Sequence, residues 1–110
     1  MRYLMMAKSS DAPAGAELDT LMTEMAAFIE ELTASGVLLA TGGLVPEGVR
    51  VISSGGELTV TDGPFTEAKE AVAGFALVEV RDKAEAVELA RRFRRIAGDG
   101  ESVLQQVFTS

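Results

Sequence analysis

Apolar residues recur along the chain at two spacings, and those spacings predict its elements. Arg2–Lys8 reads as a first strand with apolar residues on both faces, Tyr3, Met5 and Ala7 on one and Leu4 and Met6 on the other. Ser9-Ser10-Asp11-Ala12-Pro13 then offers capping residues and a proline suited to the start of a helix. Leu18, Leu21, Met22, Met25, Ile29 and Leu32 follow at helical spacing and form one stripe, and Gly36 is a natural left-handed stop. Val37–Leu44 is a second strand, again apolar on both faces, closing in Gly42-Gly43.

Val49–Ser53 and Glu57–Thr61 flank Ser54-Gly55-Gly56. A Gly-Gly pair between such runs predicts a tight hairpin, because a type I′ turn needs positive φ twice. Asp62–Glu70 is a connector with turn chemistry, and Ala73–Val80 is the next strand, with Phe75 and Leu77 opposite Ala76, Val78 and Val80. Asp82-Lys83-Ala84-Glu85 resembles a capping box. The second helix carries Ala86, Leu89, Ala90, Phe93 and Ala97 on one stripe, Gly98 ends it, and Ser102–Phe108 is a final strand.

Two helices that each cross between strands of one sheet describe an α+β, ferredoxin-like plan with an inserted β-hairpin. Right-handed crossovers place both helices on one sheet face. The other face then carries apolar residues with nothing over it, which predicts a two-fold homodimer through the open sheet faces. The alternative is that the hairpin folds back over that face.

At 110 residues the chain fits one domain and can bury a core unaided. It contains no cysteine and no histidine, which removes disulfides, thiolate chemistry, the usual base near pH 7 and the commonest metal ligand. No metal and no cofactor are expected: zinc lacks its ligands, magnesium or calcium on carboxylates stays an alternative but no acidic loop has calcium spacing, and Gly42-Gly43 lacks the lysine and hydroxyl of a phosphate loop. A net charge of −7 argues against nucleic-acid binding, which rests on phosphate neutralisation. The apolar run near Met1 is too short for a signal peptide or a membrane helix, so a cytoplasmic protein is the default expectation.

Chemistry concentrates in Thr61–Glu70, Thr-Asp-Gly-Pro-Phe-Thr-Glu-Ala-Lys-Glu. Proline restricts the residue before it, glycine tolerates that restriction, and Asp62 can close an Asx-type turn. A rigid hairpin exit with Phe65 in the core explains Asp62-Gly63-Pro64-Phe65 without any function. In a helical turn Glu67 and Glu70 share a face, and a carboxylate against an apolar wall such as Phe65 can serve as general acid or base. Lys69 or Tyr3 would hold substrate. A solvated polar turn is the simpler alternative. Arg91, Arg92, Arg94 and Arg95 read as dipole-complementing cations, with Glu88 four residues before Arg92, rather than as an anion site. Met5, Met6, Met22 and Met25 read as core filler rather than a pocket lining.

The string Thr61–Glu70 with Gly74-Phe75, the opening Met1-Arg2-Tyr3-Leu4-Met5, and Gly43-Leu44-Val45-Pro46 resemble the DGPF-type, YCII-related proteins over nearly the whole chain. That resemblance implies a ferredoxin-like subunit in a dimeric α/β-barrel assembly, with a pocket between the sheet and connecting loops. It also implies that Asp62, Gly63, Pro64, Phe65, Glu67, Lys69 and Glu70 match the family's motif. The histidine–aspartate pair of the wider group has no counterpart in a chain without histidine. Association of family members with extracytoplasmic-function sigma factors implies an accessory or regulatory role for some of them. Three functions follow: cofactor-free acid/base chemistry of the isomerase or lyase kind, a non-catalytic ligand-binding or accessory module, and a purely architectural motif. In the first, Asp62, Glu67 and Glu70 are catalytic, and Tyr3, Phe65 and Lys69 bind substrate.

Overall fold

The computed structural model describes residues 1–8, 15–63 and 71–108. Among them the elements run β1 (Arg2–Lys8), α1 (Ala16–Ala34), β2 (Leu38–Gly43), β3 (Val49–Ser54), β4 (Glu57–Asp62), β5 (Val72–Glu79), α2 (Lys83–Ala97) and β6 (Ser102–Val107). This is the predicted order. The start signals expected at Ser9–Pro13 lie outside the described residues.

Local chemistry accounts for the helix ends. Gly36, at φ 78°, follows α1. Its N–H reaches the Thr33 carbonyl at 3.2 Å and the Val37 N–H reaches Leu32 at 3.0 Å, the paired bonds of a Schellman stop. Asp82 caps α2, its Oδ1 accepting from the Glu85 N–H at 2.9 Å. The Glu85 carboxylate turns to Arg81, so the capping box is half-formed. Between β3 and β4, Gly55 and Gly56 have φ of 58° and 83°, the double positive φ that the hairpin turn requires.

Four strands form one sheet in the order β2-β5-β1-β6, each neighbour pair antiparallel. Pairing of Tyr3 with Val78 and of Met5 with Ala76 sets those residues on one face. They form the core with Val80, with Phe28 and Leu32 from α1, and with Ala86 and Leu89 from α2. Both helices therefore cover the same face. The protein is an α+β, ferredoxin-like domain. Pairing of Leu4 with Leu77 and of Met6 with Val103 puts these residues, with Val107, on the opposite face.

The hairpin β3–β4 makes a sheet of its own. Every residue in both strands is exposed, so the hairpin does not fold back over the open face. Pairing of Val51 with Val60 and of Ser53 with Leu58 gathers Val49, Val51, Leu58 and Val60 on one side of the ribbon. The Cα radius of gyration is 16.2 Å, against about 13 Å for a compact domain of about 100 residues. An isolated two-stranded ribbon is at best marginally stable in water, so this apolar side calls for a cover.

Two expectations need correction. The stripe on α1 was placed too far toward the N-terminus: Leu18 and Met22 are 36% and 61% exposed, while Phe28, absent from the predicted stripe, is 6% exposed. Length explains part of this. The 19-residue helix spans roughly 28 Å and the seven-residue β1 roughly 23 Å, so about one turn of α1 extends beyond that strand. Nor does Glu88 pair with Arg92. It bridges Arg91 at 3.4 Å and Arg95 at 3.5 Å. Arg92 instead reaches across to Glu31 of α1 at 2.7 Å, its guanidinium 4.8 Å from the centre of the Phe28 ring. The hydrogen bond from Arg92 holds the Glu31 carboxyl below its ordinary range.

Candidate functional site

Between the helix layer and the sheet lies a cavity of about 180 Å³. Met25, Phe28, Ile29 and Leu32 of α1 and Leu89 and Phe93 of α2 form its roof, and Met5, Ala7, Leu38, Ala76 and Val78 are part of its floor. Thr41 is the one described wall residue with a polar side chain, and its Oγ1 already donates to the Phe75 carbonyl at 2.9 Å. None of the described wall residues ionises. Such a space excludes charge and favours an apolar body. Two of the methionines read as filler, Met5 and Met25, are part of this wall.

Small residues gather at one end of the cavity wall. Ala7, Gly42 and Gly74 stand at the C-terminal ends of β1 and β2 and the N-terminal end of β5. A Cβ on Gly42 would come within 3.1 Å of the Phe75 ring, and one on Gly74 within 3.2 Å of the Gly42 carbonyl. These glycines let β2 and β5 approach closely. The connector that follows Asp62 enters β5 at this same end of the sheet.

Of the residues predicted to carry chemistry, Asp62 closes β4 opposite Val49 and is exposed at the base of the hairpin. Next to it, the Gly63 N–H donates to the Gly48 carbonyl at 2.7 Å. Tyr3 is 7% exposed, packed in the core and outside the cavity wall. Phe65, Glu67, Lys69 and Glu70 lie outside the described residues. The family resemblance implies a pocket between the sheet and the connecting loops; a cavity between the sheet and the helices is not among the expectations, and Gly42 and Gly74 of its wall come together only once β2 and β5 are paired. Among the described residues no three acidic, histidine or cysteine side chains gather as metal ligands, and no helix is long and apolar enough to cross a membrane.

The family model of the YCII-related domain matches residues 1–105. The chain belongs to the YCII-related domain family. No curated protein matches this YCII-related chain. Among solved structures it is similar to 5-chloro-2-hydroxyhydroquinone dehydrochlorinase from Burkholderia phenoliruptrix, determined in complex with 2,5-dihydroxybenzoquinone. The match has a TM-score of 0.54 and 15% identity, covering 100% of this chain and 96% of that one. At that identity the likeness speaks for the fold.

Proposed function

We propose that this protein is a small-molecule enzyme that binds a compound built on a single ring in the cavity under α1 and carries out cofactor-free acid/base chemistry beside it. The observation behind this reading is the cavity. Its 180 Å³ is close to the roughly 150 Å³ of an apolar cavity known to admit benzene, and it offers walls without charge. The dehydrochlorinase of the same fold, complexed with a one-ring quinone, supports the ligand class. The described cavity wall supplies no ionisable side chain, so acid/base groups have to come from beside it. Glu67 or Glu70 would move the proton, Asp62 would orient, Lys69 would hold the polar end of the substrate, and Phe65 would contact its ring. The chemistry is of the isomerase or lyase kind, in which a proton is taken from one atom and delivered to another or to a leaving group.

The test uses the methionines. Met5 and Met25 line the cavity, while Met1, Met6 and Met22 do not. Hydroxylated one-ring compounds added to methyl-labelled protein should shift the Met5 and Met25 methyl signals and leave the other three in place. Glu67→Gln with Glu70→Gln should keep those shifts and abolish turnover of any compound converted by the parent. Shifts without turnover in the parent would favour the non-catalytic binding module. No shift at either methionine would remove the reading altogether.

We infer further that the protein works as a homodimer. Among the described residues two apolar surfaces lie outside the core, the sheet face opposite the helices with half-buried Leu4, Met6 and Leu77 and the hairpin side with exposed Val51, Leu58 and Val60. A two-fold axis covers both at once. Sedimentation at micromolar concentration should give twice the monomer mass, and Leu77→Glu should reduce it to the monomer. A monomeric parent would sink the inference.

A further inference from the structure

Arg94 stands apart from the other arginines of α2. Arg91 and Arg95 share Glu88, and Arg92 has Glu31. The Arg94 guanidinium carbon lies 4.7 Å from the centre of the Phe93 ring, and its Nε and Nη1 are buried without a hydrogen-bond partner. The Ser102 hydroxyl, at the start of β6, is buried and unpartnered as well. Buried donors are almost always satisfied, and a buried guanidinium without a counter-charge is costlier than a neutral group.

Both side chains line one cleft of about 560 Å³ between α2 and β6, together with Arg91, Arg95, Gly100, Glu101 and Leu104. The one carboxylate among these residues, Glu101, is engaged by Lys8 at 2.9 Å. Glu88 serves two arginines, so the cleft keeps a surplus of positive charge. Gly100 makes room for the guanidinium, since a Cβ there would overlap Arg94 Nη1.

We propose that this cleft binds a small oxyanion, a phosphate or carboxylate group, with Arg94 supplying the counter-charge and the Ser102 hydroxyl a hydrogen bond. Arginine suits the task because its planar fork of donors matches an oxyanion. A bound anion neutralises the guanidinium of the cluster that has no carboxylate partner among the described residues. Desolvation lowers the Arg94 pKa, in keeping with a cation that lacks its partner. The C-terminal end of α2 repels negative charge, and the chain as a whole carries −7, so a small anion held by local contacts fits and a polyanion does not. The cleft lies on the helix side of the sheet and is separate from the apolar cavity, so it stands or falls independently of the ring-binding reading.

Titration with inorganic phosphate, with acetate and with chloride at constant ionic strength tests the proposal, read by thermal melting and by the backbone amide signals of Gly100 and Ser102. Phosphate is expected to raise the melting temperature and shift both signals saturably, with chloride doing neither. Acetate acting in place of phosphate would support the same site with a carboxylate as its ligand. Arg94→Gln should weaken phosphate binding at least tenfold while the phosphate-free protein melts no lower than the parent, since the substitution removes an unpaired buried charge. Ser102→Ala should weaken it several-fold and, should Arg94→Gln not fold, decides in its place. Equal responses to all three anions, or phosphate shifts that persist in the folded variants, would overturn the proposal.

Discussion

Phe28→Ala is expected to destabilise the protein by about 3–5 kcal/mol, the range for deleting a buried aromatic side chain. Phe28 is 6% exposed and packs both in the core and in the cavity roof. Its removal joins new empty space to space already present, so the site has little means of collapse. The Arg92 guanidinium loses the ring beneath it, and the Glu31–Arg92 bridge between the helices loses its support. For a domain of this size the loss lowers the melting temperature by on the order of 15 °C or more at fixed protein concentration. Phe28→Leu keeps most of the apolar area and should cost about 1–1.5 kcal/mol. Chemical denaturation of the three proteins measures the differences. A loss below about 1 kcal/mol for the alanine variant would mean that α1 is not docked through this residue. A one-ring ligand offers a second reading of the same variant, since it should restore part of the lost stability by filling the enlarged cavity.

Phe28 also shows where sequence patterning stops. Helical spacing identified α1, and local chemistry identified its end, because both depend on residues within a turn of each other. Gly36, the Gly55-Gly56 turn and the Asp82 cap were legible for that reason. Which part of the apolar stripe is buried depends on how far the helix overhangs a strand that is distant in sequence, and periodicity carries no information about that. Dipole complementarity explained the arginines of α2 as a group. It could not show that Glu31, from another helix, would take Arg92. Nor could it show that Arg94 would be left without a carboxylate.

The stretch from Thr61 to Glu70 marks the family, and through it the fold, because it is specific and the family model extends over residues 1–105. Its chemistry was harder to read. Motif residues suggest a site only in relation to a space that can hold a ligand. Among the described residues that space is built from β1, β2, β5 and both helices, which lie outside the motif. Asp62 belongs to the hairpin, and the described wall of the cavity to the main sheet and the helices.

Ala7→Leu tests whether the cavity is the site. Ala7 lies at the end of β1, in the cavity floor, and is half-buried, so a larger side chain there fills space without displacing the central core. It is paired with Gly74 and Ser102 in the sheet, and leucine does not disturb that backbone pairing. Leucine should leave stability unchanged or raise it slightly, because it buries apolar area in existing space. Binding of one-ring compounds should fall by a factor of ten or more, read by the Met5 and Met25 methyl signals or by calorimetry. Turnover, where the parent has it, should fall with binding, although Glu67 and Glu70 are untouched. Glu67→Gln with Glu70→Gln is expected to do the reverse, losing turnover while binding persists. The two patterns separate a ligand cavity from its acid/base groups, which a single loss of activity cannot do. Retention of full binding by a well-folded Ala7→Leu protein would mean that the ring sits elsewhere.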